Sequence, residues 1–194
     1  RNEDFISQLD LLDIYLWMEN ELLWKKTALN LLKNETSNQN SIKSIFQHIT
    51  NNGKYDFAYE QLLIYRNTTG KKDFYSMEMA TFFGMRMIYD QAISEYLLFL
   101  ESHPKNIQTI SDRILAFPEN NEISNAMTTI LEKSTLQEAH FILADLKFKQ
   151  KQYEKGYKIL KINHASSNQL LNYAKDLHSI KEFVIAEKIL YDII

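Results

Sequence analysis

Histidine is the first residue type to test for chemistry, and this sequence has five: His48, His103, His140, His164 and His178. A helical metal site needs ligands one turn apart, as in H-E-x-x-H. No two of these histidines stand four apart, and that motif is absent. His103 beside Pro104 reads as a solvated loop residue. His140 and His178 fall on separate predicted helices and read as packing or surface residues rather than ligands. Paired carboxylates are the next candidates, since two of them flanking one cleft can act as acid and base. Glu19 with Glu21, and Glu119 with Glu122, lie instead at predicted helix junctions, where caps and helix-dipole partners are expected. Cysteine is absent, which removes disulfides, thiolate catalysis and cysteine-zinc clusters together. No G-x-G-x-x-G, G-x-x-x-x-G-K-[ST] or G-x-S-x-G is present. The sequence therefore offers no catalytic, cofactor or metal residues, and an enzyme is not expected.

One segment is chemically distinctive. Lys147 to Lys161, KFKQKQYEKGYKILK, holds six lysines interleaved with Phe148, Tyr153 and Tyr157. Lysines with aromatics can bind a nucleic-acid backbone and stack its bases. The aromatics here fall at helix-packing positions, so the lysines are expected to face solvent. An acidic protein partner suits such a patch as well as nucleic acid does. Net charge is −3, which gives no global attraction for nucleic acid, and none is expected as a partner.

The elements that position these residues are helices. Gly (4) and Pro (2) are scarce in 194 residues, too few for the turns of a β-sandwich or the Gly-rich loops of an α/β enzyme. Hydrophobic content of 45% with 24% charged residues suits a soluble folded domain. No apolar run reaches the roughly 18 residues that a bilayer span requires. The richness in Ile, Lys and Asn points to an AT-rich, bacterial coding sequence. Arg1 at the start and Ile193-Ile194 inside a predicted helix suggest a piece of a longer protein. No compartment can be read beyond soluble, whether cytoplasmic or periplasmic.

Internal periodicity organises the chain. In Met77–Asn106, Ala80 is a small residue in a first helix. Tyr89 then opens a second helix, Ala92 follows at the expected crossing point, Tyr96 comes four residues on, and Pro104 ends the unit. Helices approach closely only at small residues, and aromatics fill the flanking space. Ala58 lies 34 residues before Ala92 and Ala126 lies 34 after it, with Trp24 a further step back. The step then shortens to 30, reaching Gly156 and Ala186, each preceded by an aromatic, Tyr153 and Phe183. Six hairpins result, over roughly 3–34, 39–68, 73–104, 107–133, 136–163 and 167–194. In the fourth, Pro118 interrupts the first helix, and a change of pitch is expected there.

This pattern resembles the tetratricopeptide repeat (TPR), most closely in the third unit and across nearly the whole chain. The resemblance implies an all-α, TPR-like α-solenoid in one domain, a right-handed superhelix of about six antiparallel hairpins. It also implies which residues turn towards an inner groove. In the third unit these are Phe74, Met77, Thr81 and Met85. They belong to a methionine- and phenylalanine-rich cluster suited to adaptable contacts, in which Met79 and Phe83 are core instead. In the second unit they are Lys43, Gln47, Thr50 and Asn51. In the fifth they are Phe141, Asp145, Phe148 and Lys149, and in the sixth Leu171, Lys175 and His178. Some TPR domains hold a carboxy-terminal carboxylate with lysine, arginine and asparagine side chains. Gln47 and Thr81 stand at the comparable asparagine sites, so that ligand is not expected.

The implied function is a protein-interaction scaffold binding a peptide segment or partner protein without a cofactor. Two alternatives share the pattern. One is an outer-membrane assembly or secretion component, and the other is a peptide-sensing regulatory domain.

Overall fold

Apolar residues at helical spacing and short polar links yield a chain of helices in the computed structural model, which describes residues 2–193. Among the described residues there are twelve α-helices, one short 3-10 turn at Pro104–Asn106 and no strand. Two compact units arise, Arg1–Tyr75 and Ser76–Ile194.

The first unit contains α1 (Asn2–Trp17), α2 (Glu21–Asn34), α3 (Gln39–Asn51) and α4 (Tyr55–Thr69). Asn20 and Asn38 cap α2 and α3 by accepting from the Leu23 and Ser41 backbone N–H groups. Its core includes Leu12, Trp24, Ala28, Ile45, Phe46, Ile49, Ala58 and Leu62, all at most 1% exposed. Burying one such large apolar side chain stabilises by about 1.5–3 kcal/mol. After α4 the backbone turns through Gly70 (φ +72°), and Arg66 Nε donates to the Phe74 carbonyl at 2.9 Å. This bond draws the returning segment, with Phe74 and Tyr75, into the same core.

The second unit contains α5 (Ser76–Met85), α6 (Tyr89–Ser102), α7 (Ile107–Leu115), α8 (Asn121–Lys133), α9 (Gln137–Lys149), α10 (Tyr153–Ile162), α11 (Ser167–Ser179) and α12 (Phe183–Ile193). α5 packs on α6, α9 on α10 and α11 on α12. Contacts also run between helices two apart in sequence: α6 with α8, α7 with α9, and α10 with α12. Polar bonds repeat that step. Ser111 bonds Asp145, Lys149 bonds the Leu115 carbonyl and Lys188 bonds Glu154, each pair separated by 34 residues. The architecture is therefore repeat-like as well as all-helical.

Three-residue turns close five of the helix pairs, α1/α2, α3/α4, α5/α6, α9/α10 and α11/α12. The middle residue is left-handed each time: Glu19 (φ 54°), Gly53 (75°), Met87 (62°), Lys151 (59°) and Lys181 (68°). Its N–H bonds back three residues, and the next N–H bonds back five, as in Lys151 to Phe148 O and Gln152 to Lys147 O. This Schellman closure satisfies carbonyls that a helix end leaves without partners. Four of the five middle residues are not glycine, and each adopts a conformation costing about 1 kcal/mol.

The link between α7 and α8 is different. It runs through five residues, 116–120, and includes Pro118. Proline has no N–H with which to continue the α7 ladder. α8 starts at Asn121 with Asn120 as its cap, its side chain accepting from the Ile123 N–H at 2.8 Å. α8 packs on α6 and α9. Ala126 is only half-buried while Met127 is buried, so the small crossing residue of the other units has no equivalent here.

Small residues make the close approaches elsewhere. Ala80, Ala92 and Ala144 are fully buried, and Ala174 and Ala186 nearly so. At Gly156 the demand is strictest. A Cβ there would collide with the Tyr173 hydroxyl and stand 3.0 Å from the Ala144 carbonyl oxygen.

Candidate functional site

The residues expected to face a groove separate into several environments. Phe74 does not belong to an open face. It is 8% exposed, packed against Tyr65 at 4.8 Å between ring centroids, and its ring serves the core of the first unit. Lys43 and Gln47 are exposed on α3, with the Lys43 ammonium 5.9 Å from the Phe74 ring centroid. Thr50 is buried, its hydroxyl donating to the Phe46 carbonyl.

In the second unit, Met77 is half-buried against the core, whereas Thr81 and Met85 are exposed on α5. Thr81 accepts a hydrogen bond from Arg113 Nη1 at 3.1 Å and so ties α5 to α7. Phe141 is half-buried against the core of α9–α12. Asp145 accepts from the buried Ser111 hydroxyl at 2.8 Å. Burial raises the Asp145 carboxyl above the usual aspartate range, while the Ser111 bond acts in the opposite direction. Thr81, Arg113, Ser111 and Asp145 thus link first helices of consecutive pairs.

The lysine-rich segment needs a correction at one residue. Lys149, Lys151, Lys155, Lys158 and Lys161 are exposed, as expected, and Tyr157 is buried. Lys147 is half-buried instead, its Nζ 3.1 Å from Thr128 Oγ1 and 3.4 Å from Gln150 Oε1. Burial lowers its pKa first, and repulsion from Lys155 adds to this, against the opposing charge of Glu132.

Lys147 lines a cavity of about 550 Å³ between the 116–120 link, α8 and the α9/α10 turn. The longer link opens this space. Phe117 folds back onto the α5/α6 pair, where its ring lies 4.6 Å from that of Tyr89 at the start of α6 and would stand 3.3 Å from a Cβ at Gly84 on α5. Lys149 anchors the other side, with Nζ 2.6 Å from the Leu115 carbonyl and 2.8 Å from Glu119 Oε1. The last turn of α7, cut short by Pro118, thus finds a partner for a carbonyl that lacks one in the ladder. Side chains of Asn125, Thr128 and Gln152 make the remaining lining largely polar.

A second, smaller cleft of about 330 Å³ lies on α11 and α12. Ala174 and Ala186 form its base, Leu171, Phe183 and Leu190 its walls, and Lys175 and His178 part of its edge. His178 packs edge-on against Phe183 at 5.0 Å. No group of three metal-binding side chains occurs among the described residues. No helix among them is long and apolar enough to cross a membrane.

The 116–120 cavity was missed by sequence reasoning. Its two signals, Pro118 and the lysine run, were both visible but are 29 or more residues apart, and only helix packing brings them together. No protein-family model matches the chain, and no curated protein is significantly similar to it.

Proposed function

We propose that this chain is a protein-interaction scaffold: a TPR-like stack of helix hairpins that holds a peptide segment or partner protein on the face lined by its first helices. The observation that carries this reading is the repeated step between helices two apart in the second unit. Stacked hairpins bury apolar faces that one hairpin alone would leave wet, and leave successive first helices side by side. Such a row presents side chains at regular intervals to an extended ligand. Exposed Met85 and Thr81, the Arg113 guanidinium and Lys175 give that row both adaptable apolar and charged contacts. The bonds joining Thr81 to Arg113 and Ser111 to Asp145 hold the row rigid, which lowers the ordering cost of binding. Binding of this kind needs no cofactor and no catalytic group.

The reading is tested by placing a photoreactive phenylalanine analogue at Met85 or Lys175, on first helices, and at Lys158, on a second helix. Partner polypeptides should be labelled from the first two positions and not from the third. Equal labelling from all three would remove the first-helix face as the working surface.

A further inference from the structure

The 116–120 cavity has an unusual balance of charge. Three ammonium groups, Lys147, Lys149 and Lys155, line it with one carboxylate, Glu119. Lys149 and Glu119 already form a 2.8 Å ion pair. Lys147 and Lys155 remain, and the two hydrogen-bond partners of Lys147 are neutral oxygens. A half-buried cation whose hydrogen bonds go to neutral oxygens interacts more strongly with an incoming anion than a solvated one does, because less water screens the pair. Of the groups that act on Lys147, burial and Lys155 both disfavour its charge, while Glu132 favours it. An arriving carboxylate would act in the same direction as Glu132.

Size and lining narrow the ligand. The cavity, about 550 Å³, falls within the range of roughly 300–1,000 Å³ that accommodates small organic ligands and short chain segments. That is far more than one ion fills. Amides such as Asn125 and Gln152 both donate and accept, which matches the alternating groups of an extended main chain. Two available ammonium groups in a protein of net charge −3 are too few to follow a nucleic-acid backbone.

From this geometry we infer that the cavity beneath the 116–120 link binds a carboxylate-bearing stretch of polypeptide, with Lys147 as the inner anion contact and Lys155 as the outer one. The inference rests on the interaction reading above and names the partner chemistry it would select. It also gives the interrupted hairpin a use, because Phe117, Pro118, Glu119 and Asn120 of the longer link line the cavity.

The test is calorimetric titration of the full chain with an acetylated tetraglutamate peptide, its tetraglutamine counterpart, and citrate. The tetraglutamate peptide should bind and the tetraglutamine peptide should not. Lys147→Gln, which keeps a hydrogen-bonding side chain, should weaken binding about tenfold or more. Lys155→Gln should weaken it about two- to fivefold, and Lys158→Gln, outside the cavity, should have almost no effect. Trace acylation provides a second reading, since bound peptide should slow modification of Lys147 relative to Lys158. Absence of tetraglutamate binding, or binding indifferent to Lys147→Gln, overturns the inference. Citrate binding through Lys147 without peptide binding also overturns it, by reducing the cavity to a small-anion site. If labelling from Met85 and Lys175 succeeds while the cavity stays silent, this inference alone fails. If the peptide binds while those labels stay silent, the cavity stands and the broader first-helix face falls.

Discussion

The hairpin of α7 and α8 and that of α9 and α10 are neighbours with similar helices, yet they close differently. In α9/α10 a left-handed Lys151 turns the chain in three residues, and Gly156 lets α10 approach the Ala144 backbone and Tyr173. In α7/α8 five residues including Pro118 make the link, and the small crossing residue is not fully buried. A regular closure buries its helices against each other and leaves little internal room. An interrupted closure sends the helices to other neighbours and opens a polar space between them. One proline thus converts a packing element into a cavity wall.

The sharpest challenge to this contrast is whether the interrupted hairpin is simply loose. Ile114 on α7 is fully buried, so Ile114→Ala should cost about 2–5 kcal/mol. Urea unfolding would reveal this, and a loss below about 1 kcal/mol would mean that α7 is poorly packed. Two glycines make the next comparison. Gly156→Ala should destabilise by about 1–3 kcal/mol, because neither the Ala144 carbonyl nor the Tyr173 ring can yield easily. Gly84→Ala meets only the edge of the Phe117 ring on the longer link, so it should stay within about 0.5 kcal/mol of the parent. Comparable losses from both substitutions would erase the distinction between tight and open closures.

The turns themselves give a smaller effect of opposite sign. Lys151→Gly and Lys181→Gly relieve left-handed strain and should each stabilise by about 0.5–1 kcal/mol after the added freedom of the unfolded chain is counted. Thermal melts would show this, and a loss of stability would mean that the lysine side chains matter more than the backbone. The smallest effect concerns Asp145. Folding raises its carboxyl pKa, so the folded chain holds that proton more tightly than the unfolded one. Its contribution is full below the ordinary aspartate value, about 3.9, and is lost as pH rises through the higher value of the folded state. Asp145→Asn, which keeps an acceptor for Ser111, should therefore be more stable than the parent at pH 7 and lose that advantage by about pH 3. An advantage unchanged with pH would assign the effect to packing.

Much of the fold is legible in the sequence because close helix crossings demand small side chains. Ala58, Ala92, Gly156 and Ala186 are picked out by their spacing, and all four are buried. The helical character follows from the same residues and from the scarcity of glycine and proline. The turns are less legible. Left-handed backbone at Met87, Lys151 and Lys181 has no glycine to announce it and is imposed by the helices on either side. Phe74 departs from the expected groove face for a tertiary reason, since its carbonyl accepts from Arg66 and its ring packs against Tyr65 in the core. Lys147 follows the same rule: its half-burial depends on Thr128, a residue of another helix, and a run of lysines read alone suggests only a wet surface.

Cross-helix bonds that repeat at 34 residues have a mechanical consequence. Within the second unit, Ser111 to Asp145 and Glu154 to Lys188 fasten a hairpin only to its neighbour. Stretched from the carboxy-terminal end, this unit should yield piecewise, with α11 and α12 peeling away while α5 and α6 keep their fold. The force would then be released in short steps rather than in one rupture.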